Sequence, residues 1–279
     1  MLHHVAEGFR RLVHRVIEPR KGATEQHGNR KGYNYEELSD FHLRTMQYKA
    51  SGAGEALLPG TRPERLTLRG RFVTITPLRR EVHAQSLYQH TCGPENDGLW
   101  TYMGAGPFAD FRAFEAHLEN KAASEDPLFF AIVDHSDGNA KGYASYLRIE
   151  PAHRCIEVGH IVYGPSLQRT AAATEAMYLM ARYVFDDLHY RRYEWKCDAQ
   201  NQRSRRAALR FGFQFEGIFR QHMIVKGRNR DTAWFSIIDR EWPERKRNFE
   251  QWLAPANFDK TGRQRVSLSS LNSTAEPVL

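Results

Sequence analysis

Two hydrophobic periods alternate along residues 71–253 and divide this part of the chain into predicted strands and helices. Apolar residues at every second position indicate strands, and apolar residues spaced three or four apart indicate helices. The predicted strands are 71–77, 128–134, 141–149, 155–163, 192–198, 213–225 and 232–239. The predicted helices are 81–90, 108–124, 170–188, 202–211 and 241–253. Their order, β-αα-βββ-α-β-α-ββ, predicts a mixed α/β (α+β) domain that is neither doubly wound nor a barrel.

The two ends of the chain differ from this central part. Near the N-terminus, apolar residues recur at helical spacing between arginines, which predicts an amphipathic basic helix. Such a helix suits docking, a membrane surface or an organellar presequence, although Glu7 and Glu18 are unusual in presequences. The prolines at 59 and 63 indicate where the main domain begins. We expect a partly helical N-terminal extension over 1–65, a main domain over 66–253, and a C-terminal tail over 254–279 whose Ser-rich part, 261–279, is loose.

Composition narrows the class of protein. Among 279 residues, 41% are hydrophobic and 26% are charged, which is typical of a globular chain rather than a disordered one. The three cysteines, Cys92, Cys155 and Cys197, form no CxxC pair, which excludes a zinc ribbon and argues against a disulfide framework. Apolar runs stay well below the roughly 18 residues of a membrane-spanning helix. We therefore expect a cytoplasmic protein without a membrane span, or an organellar one if residues 1–20 act as a presequence.

Basic residues are concentrated in one region. The chain has 40 Lys and Arg against 33 Asp and Glu, a net charge of +7. Between Ala199 and Arg230, eight basic residues face a single acid, Glu216. The basic residues are Arg203, Arg205, Arg206, Arg210, Arg220, Lys226, Arg228 and Arg230. A compact patch of this kind suits a small phosphorylated ligand better than a long nucleic-acid groove, and a solvated helix face is the alternative.

Residues 156–176, IEVGHIVYGPSLQRTAAATEA, combine a buried strand with the start of an alanine-rich helix. The strand ends at Gly164-Pro165, and a short loop leads directly to Ala171. The first N–H groups of a helix have no intrahelical partner and lie at the positive end of its dipole. Small side chains there let a phosphate approach the backbone, so the segment predicts an anion site, with core packing of the alanines as the alternative.

Residues 197–217, CDAQNQRSRRAALRFGFQFEG, form a second strand-to-helix segment. Asn201 is a typical helix N-cap and Gly212 a typical helix C-terminal glycine. Ser204 falls in the first turn of the predicted helix, next to the basic patch.

Together the two segments resemble the GNAT superfamily of acetyl-CoA-dependent N-acetyltransferases, and more narrowly its ribosomal-protein N-terminal acetyltransferase branch. That branch shows a Pro, a [Q/R]-x-x-G-x-[G/A] loop followed by Thr-Glu-Ala, and a later Asn-x-x-Ser ahead of Gly-Phe and Glu-Gly. In this chain these are Pro165, Gln168, Ala171, Ala173, Thr174-Glu175-Ala176, Asn201, Ser204, Gly212-Phe213 and Glu216-Gly217. The resemblance covers residues 69–240, and it departs at Ala171, where the family usually has glycine; a positive φ would be costly there.

The resemblance implies a central, mostly antiparallel sheet flanked by helices, with acetyl-CoA as acetyl donor, an amine acceptor and no metal. Backbone groups of Ile161, Val162 and Tyr163 are expected to contact pantetheine and the acetyl carbonyl, and Asn201 the pantetheine arm. The loop expected to hold the pyrophosphate comprises Gln168, Arg169, Thr170, Ala171, Ala172, Ala173 and Thr174. The expected partners of the CoA phosphates are Arg203, Arg205 or Arg206.

The resemblance leaves the two proton transfers open. Many GNAT enzymes protonate the leaving thiolate with a tyrosine, but the matching position here is Ala208, and the ribosomal-protein branch suggests Ser204 instead. For the general base Glu157 is the first candidate, with His160 and Asp198 as rivals and a salt bridge as the alternative role of Glu157. Glu157 and His160 have opposite strand parity, so they line one cleft only if the strand bulges.

The acceptor side is expected to involve two parts of the chain. One is the aromatic loop, residues 99–108, which connects the first two predicted helices, and the other is the last two predicted strands. Trp100, Tyr102 and Phe108 are candidate walls of the acceptor pocket, and packing under the helices is the alternative. Asp231 is a candidate for holding Arg228 or Arg230, or for facing a cationic substrate.

The sequence as a whole predicts an N-acetyltransferase that acts on a protein N-terminus or a small-molecule amine by direct attack in a ternary complex. A non-catalytic acyl-CoA-binding module and, less favoured, a nucleic-acid-binding protein are the alternatives. A homodimer, frequent in the family, stays open.

Overall fold

The computed structural model describes residues 58–273, and its centre is an eight-stranded sheet of order β1-β2-β3-β4-β5-β6-β8-β7. The strands are β1 (Leu68–Arg69), β2 (Val73–Pro77), β3 (Leu128–Asp134), β4 (Ala140–Glu150), β5 (Cys155–Tyr163), β6 (Arg192–Asp198), β7 (Gln214–Val225) and β8 (Arg228–Ile238). Only β5 and β6 pair in parallel; all other neighbours are antiparallel. The predicted mixed, mostly antiparallel sheet is confirmed.

Helices cover both faces of the sheet. They are α1 (Arg80–Thr91), α2 (Phe111–Ala123), α3 (Ala171–Arg182), α4 (Gln202–Arg210), α5 (Trp242–Leu253) and α6 (Leu268–Ser273). A 3-10 helix, Pro94–Trp100, follows α1, and a π-helical turn, Tyr183–Asp187, extends α3.

Two apolar cores hold these layers together. The larger core joins one face of the sheet to α3 and α5 through residues such as Ile156, Trp195 and Phe249. The smaller core joins the other face to α1 and α2 through residues such as Phe114 and Phe129. Alternation of side chains along the strands produces this division, because successive residues of a strand point to opposite faces.

The parallel pair β5–β6 is joined along only part of its length. Register runs from Cys155 opposite Arg192 to Val158 opposite Trp195, and no pairing continues beyond it. On its other side β5 bulges, because Ser145 of β4 pairs with Gly159 while Tyr143 pairs with Val162. The two parallel strands therefore separate toward their carboxyl ends and leave a wedge in the sheet.

The segment after α5 packs on the domain, which differs from the loose tail expected there. Leu268 is fully buried, and Asn272 Nδ2 donates to the Arg210 carbonyl at 2.8 Å. Asn248 Nδ2 donates to the Leu271 carbonyl at 3.2 Å. The apolar spacing of so short a segment is too weak to reveal a helix, and its burial depends on α4 and α5. Residues 274–279 lie outside the described residues.

The expected N-terminal helix also lies outside the described residues, so the extension over 1–65 stays a prediction. Within residues 58–273, no helix is both long and apolar enough to cross a membrane.

Candidate active site

The wedge between β5 and β6 is the place where the predicted site residues gather. Because the two strands are parallel, the segments that follow them leave from the same edge of the sheet. The first segment leads to α3 at Ala171, and the second leads to α4 at Gln202. Two helix N-termini therefore lie at the open end of the wedge, where their unpaired N–H groups favour an anion.

The start of α3 is built to present backbone N–H groups. Thr170 caps the helix: its Oγ1 accepts the Ala173 N–H at 3.0 Å and donates to the Leu167 carbonyl at 2.6 Å. The N–H groups of Ala171 and Ala172 have no partner within the helix. The left-handed conformation falls on Arg169, with φ of 62°, and Ala171 is helical. Alanine in place of the family's glycine is therefore unstrained in this loop.

Gln168 uses its side-chain amide at the end of β5, and its assignment to the pyrophosphate loop stays a prediction. Its Nε2 donates to the Tyr163 carbonyl at 2.7 Å and so braces the end of β5. The Tyr163 hydroxyl is buried without a hydrogen-bond partner in the described part of the chain, and burial raises its pKa. Ile161 and Val162 lie in the stretch of β5 that runs beyond its pairing with β6.

Two polar residues before α4 use their side chains to stabilise the connection between β6 and α4. Asn201 Oδ1 accepts the Ser204 N–H at 3.1 Å as the helix N-cap, and Asp198 Oδ1 accepts the Gln200 N–H at 2.8 Å. These bonds hold both groups in the β6–α4 connection, which argues against Asp198 as a base. Arg203 and Arg206 are exposed, and within residues 58–273 neither forms an ion pair.

Ser204 lies in the first turn of α4, above the end of β6. Its Oγ accepts the indole N–H of Trp195 at 3.0 Å, so its own proton is available for donation. A hydrogen bond with Ser204 also opposes the rise that burial causes in the pKa of Cys197. The hydroxyl is thereby fixed by the side chains of β6.

Glu157 is a member of a buried ion network. Its carboxylate lies 3.0 Å from Lys196 Nζ and forms a short contact with the Arg148 guanidinium. Lys196 Nζ also lies 2.7 Å from Glu194 and 3.6 Å from the ring centroid of Trp234. Burial raises the pKa of Glu157, and the two cations oppose that rise. The geometry favours the salt-bridge role of Glu157 over general-base catalysis.

His160 lies at the bulge of β5 with a φ of 49°. Its Nδ1 is 3.0 Å from Ser145 Oγ, and its ring centroid is 5.3 Å from that of Phe129. Ser145 pairs with Gly159, which shares the face of Glu157, so the bulge brings His160 to that face. The bulge that Glu157 and His160 need in order to line one cleft is therefore present in β5. Burial, and then the nearby cations Lys121, Arg148 and Arg230, lower the pKa of His160 to about 4.

The aromatic loop divides into a buried part and an exposed part. Trp100 is 1% exposed, its Nε1 donates to the Thr91 carbonyl at 2.8 Å, and its ring meets Phe108 at 4.9 Å. Trp100 and Phe108 belong to the packing under α1 and α2, so the prediction of Trp100 as a pocket wall is wrong. Tyr102 is exposed, and its hydroxyl donates to the Gln200 carbonyl at 3.4 Å, beside the wedge.

The β7–β8 hairpin reaches the same loop. Lys226 Nζ at the hairpin turn donates to the Trp100 carbonyl at 2.9 Å. Asp231 Oδ1 accepts the Gln221 N–H at 2.7 Å and the Asn229 side-chain amide at 3.0 Å. The expectation that Asp231 holds Arg228 or Arg230 is wrong; it fixes a bulge in β7, and these hydrogen bonds lower its pKa.

Sequence reasoning missed several residues around His160, namely His117, Lys121, Ser145, Arg148 and Lys196. His117 and Lys121 are spaced four apart on α2, which places them on one helix face, and that spacing was the only available signal. The ion network and Ser145 depend on pairing between distant strands. Among residues 58–273, no group of three or more His, Cys, Asp or Glu side chains is arranged to hold a metal ion.

Comparisons with known proteins agree with this geometry. Residues 73–214 match the family model of the acetyltransferase (GNAT) domain. The crystal structure of a GCN5-related N-acetyltransferase from Brucella melitensis is similar, with 47% identity and a TM-score of 0.76 over 78% of this chain and 98% of that chain. A GNAT-family acetyltransferase from Chromobacterium violaceum shares 38% identity at a TM-score of 0.63, over 69% of this chain and 98% of that one.

A more distant relative, from Bacillus subtilis, carries the name "Putative ribosomal N-acetyltransferase YdaF". It is 27% identical over 110 residues, which are 39% of this chain and 60% of YdaF. The match therefore spans less than two thirds of that relative. The family model and the two similar crystal structures show that this chain belongs to the GNAT family of acetyltransferases.

Proposed function

We propose that the protein transfers the acetyl group of acetyl-CoA to a primary amine by direct attack of the amine in a ternary complex. The observation that carries this proposal is the wedge between β5 and β6, at whose open end α3 and α4 both begin. An anionic cofactor is favoured by the helix N-termini, and an extended one by the unpaired edge of β5.

The residues at the wedge suit acetyl-CoA, which when bound supplies an activated acetyl group. The N–H groups of Ala171 and Ala172 and the positive end of α3 suit the pyrophosphate. The backbone of Ile161 and Val162, free of pairing on the β6 side, suits the amide groups of pantetheine. Exposed arginines on α4 provide further positive charge for phosphate.

Among residues 58–273, His160 is the best-placed acceptor for the amine proton. It lies at the bulge, it is neutral near pH 7, and its Nδ1 contact with Ser145 leaves Nε2 as the nitrogen for a substrate. A low pKa makes His160 a weak base. A weak base is sufficient for an α-amine, because its ammonium form already loses a proton near pH 7.7–8.0. Glu157 and Asp198 instead hold their surroundings in place.

Ser204 is positioned to hydrogen-bond the leaving sulfur. Its Oγ accepts the Trp195 indole N–H and hydrogen-bonds the Cys197 thiol, and the same proton can be donated instead to the leaving sulfur. A serine hydroxyl is too weak an acid to match a tyrosine, and its contribution is to orient the leaving group.

Calorimetric titration of the full chain with acetyl-CoA, CoA and ATP at two salt concentrations tests this proposal. Saturable binding of acetyl-CoA, much tighter than ATP, followed by CoA release with primary amines, is the expected result. Binding without turnover for any amine would indicate an acyl-CoA-binding module, and absence of acetyl-CoA binding would overturn the proposal. Affinity for nucleic acid that falls steeply with salt would favour the nucleic-acid alternative.

A further inference from the structure

The sheet face beneath α2 carries basic side chains around the ring of Phe129. Lys121 Nζ lies 4.1 Å from the centroid of that ring and 5.7 Å from the Tyr143 centroid. The His160 ring lies 5.3 Å from the Phe129 ring on the same face. Lys121 and the candidate base therefore flank one aromatic side chain, which places Lys121 next to the expected position of the acceptor amine.

Three basic groups on this side of the sheet lack the partners that burial normally requires. Within residues 58–273, no carboxylate lies in ion-pair distance of Lys121, although the side chain is largely withdrawn from solvent. His117, one turn before Lys121, has a buried Nε2 without a hydrogen-bond partner, and Arg230 of β8 has a buried Nε in the same condition. Buried donors and charges are nearly always satisfied in folded proteins, so unpaired ones at one place indicate a missing ligand.

The acids on this face are already in use. Glu157 is paired with Lys196 and Arg148, and Glu194 is paired with Lys196 and Arg192. Arg192 also pairs with Glu216, so this network of three acids and three cations is neutral by itself. Lys121, His117 and Arg230, which we call the basic cluster, have no acid in ion-pair distance within residues 58–273, and Lys121 and Arg230 carry the surplus positive charge beside His160.

Burial is the main cause of the lowered pKa values in the cluster, and positive charge adds to it at His117 and His160. Burial lowers the pKa of Lys121 to about 8, and burial with the charge of Lys121 lowers the pKa of His117 to about 4. Lys121 and Arg230 both lie close enough to His160 to lower its pKa as well. Positive charge at this place is therefore disfavoured unless an anion joins it.

We propose that the basic cluster binds a carboxylate or phosphate group carried by the acceptor, so that the acceptor is a small anionic amine. The inference rests on the proposed acetyl transfer and names the substrate class of the same site. An ammonium without an anion would be repelled by Lys121 and Arg230, whereas an acceptor with its own acidic group would supply the counter-charge. The bound anion would also offset the cations beside His160 and raise the pKa of that base.

Binding can be measured without any acetyl transfer. The full chain, with and without CoA, is titrated calorimetrically with β-alanine and phosphoethanolamine, and with β-alaninamide and ethanolamine as matched acceptors that lack the anion. We expect the amines that carry an acidic group to bind at least tenfold more tightly than the matched amines that lack it. Lys121→Met should reduce that affinity at least tenfold, and Lys121→Arg should retain it within about threefold. Arg112→Met, which removes an exposed cation from the same helix, should leave it unchanged.

Kinetics with acetyl-CoA connects this binding to the acceptor role. Lys121→Met should raise KM for anionic amines at least tenfold, while KM for acetyl-CoA stays within twofold. Equal binding of the amines with and without an acidic group, or equal effects of Lys121→Met and Arg112→Met, would overturn the inference. Binding of propionate or inorganic phosphate as tight as that of the anionic amines, without acetylation of any of them, would overturn the acceptor assignment. Failure of acetyl-CoA itself to bind would instead overturn the proposed acetyl transfer, because the titration without CoA reads the cluster separately.

Discussion

Glu175 in the first turns of α3 anchors the helix to the sheet, and its replacement should destabilise the whole domain. Glu175 is 6% exposed and accepts three backbone N–H groups, from Arg71 at 2.8 Å, Phe72 at 2.6 Å and Val73 at 3.0 Å. These residues form the turn that leads into β2. One buried carboxylate thus joins the first turns of α3 to the start of the sheet.

The cost of Glu175→Ala follows from those three bonds. Hydrogen bonds to a charged group contribute about 1.5–3 kcal/mol each, and a donor left buried without a partner costs about 1–3 kcal/mol. Because the turn at Arg71 is partly exposed, water can satisfy some of the freed N–H groups. We therefore expect a loss of about 3–5 kcal/mol rather than the full sum. In a domain of this size each kcal/mol lowers Tm by roughly 2–4 °C.

Gly70 provides a second, independent test of the contact between Glu175 and the turn before β2. A Cβ atom at Gly70 would clash with the Glu175 carboxylate. Gly70→Ala should therefore be strongly destabilising in the native chain and much less so in the Glu175→Ala background. The difference between the two backgrounds should be at least about 1 kcal/mol, as expected for residues in direct contact.

Urea unfolding of the native chain, the two single variants and the double variant, followed by tryptophan fluorescence, measures these quantities. Glu119→Ala is the matched control, because Glu119 is an exposed helical glutamate whose ion pair with Arg80 is at the surface. A loss below about 1 kcal/mol for Glu175→Ala, or additive effects in the double variant, would refute the anchoring role.

Three further predictions concern the wedge. Ser204→Ala should lower kcat about tenfold with little change in the Kd of acetyl-CoA, and unchanged kcat would remove Ser204 from the reaction. Ala171→Asp should abolish calorimetric binding of CoA through charge repulsion at the start of α3; retained binding would place the phosphates elsewhere. His160 has a folded pKa near 4 against about 6.5 unfolded, so below pH 6.5 the unfolded state takes up the proton first. The contribution of His160 to stability should fall by up to about 3 kcal/mol between pH 6.5 and 4. Because the pKa of His117 is lowered to about 4 as well, His160→Gln should reduce that slope in urea titrations rather than remove it, and an unchanged slope would contradict the shift.

The local sequence determined the elements and their ends. Hydrophobic period predicted the strands and helices of residues 71–253, because exposure of one face follows from the spacing of apolar residues. Asn201 was correctly predicted as an N-cap, because a cap bonds to a residue only three positions away. The motif combination at the ends of β5 and β6 was sufficient to indicate the GNAT fold.

Tertiary structure decided which side chains share a face and what charge surrounds them. The bulge that turns His160 toward the face of Glu157 arises from the register of β4 against β5, which no spacing within β5 reveals. Glu157 is held by Arg148 and Lys196, which are brought to it from neighbouring strands. Aromatic character alone could not separate buried Trp100 from exposed Tyr102, because burial depends on α1, α2 and the β7–β8 hairpin. Interactions between residues a few positions apart can be predicted from the sequence. Burial and electrostatic environment cannot, because each depends on several segments that are distant in the chain.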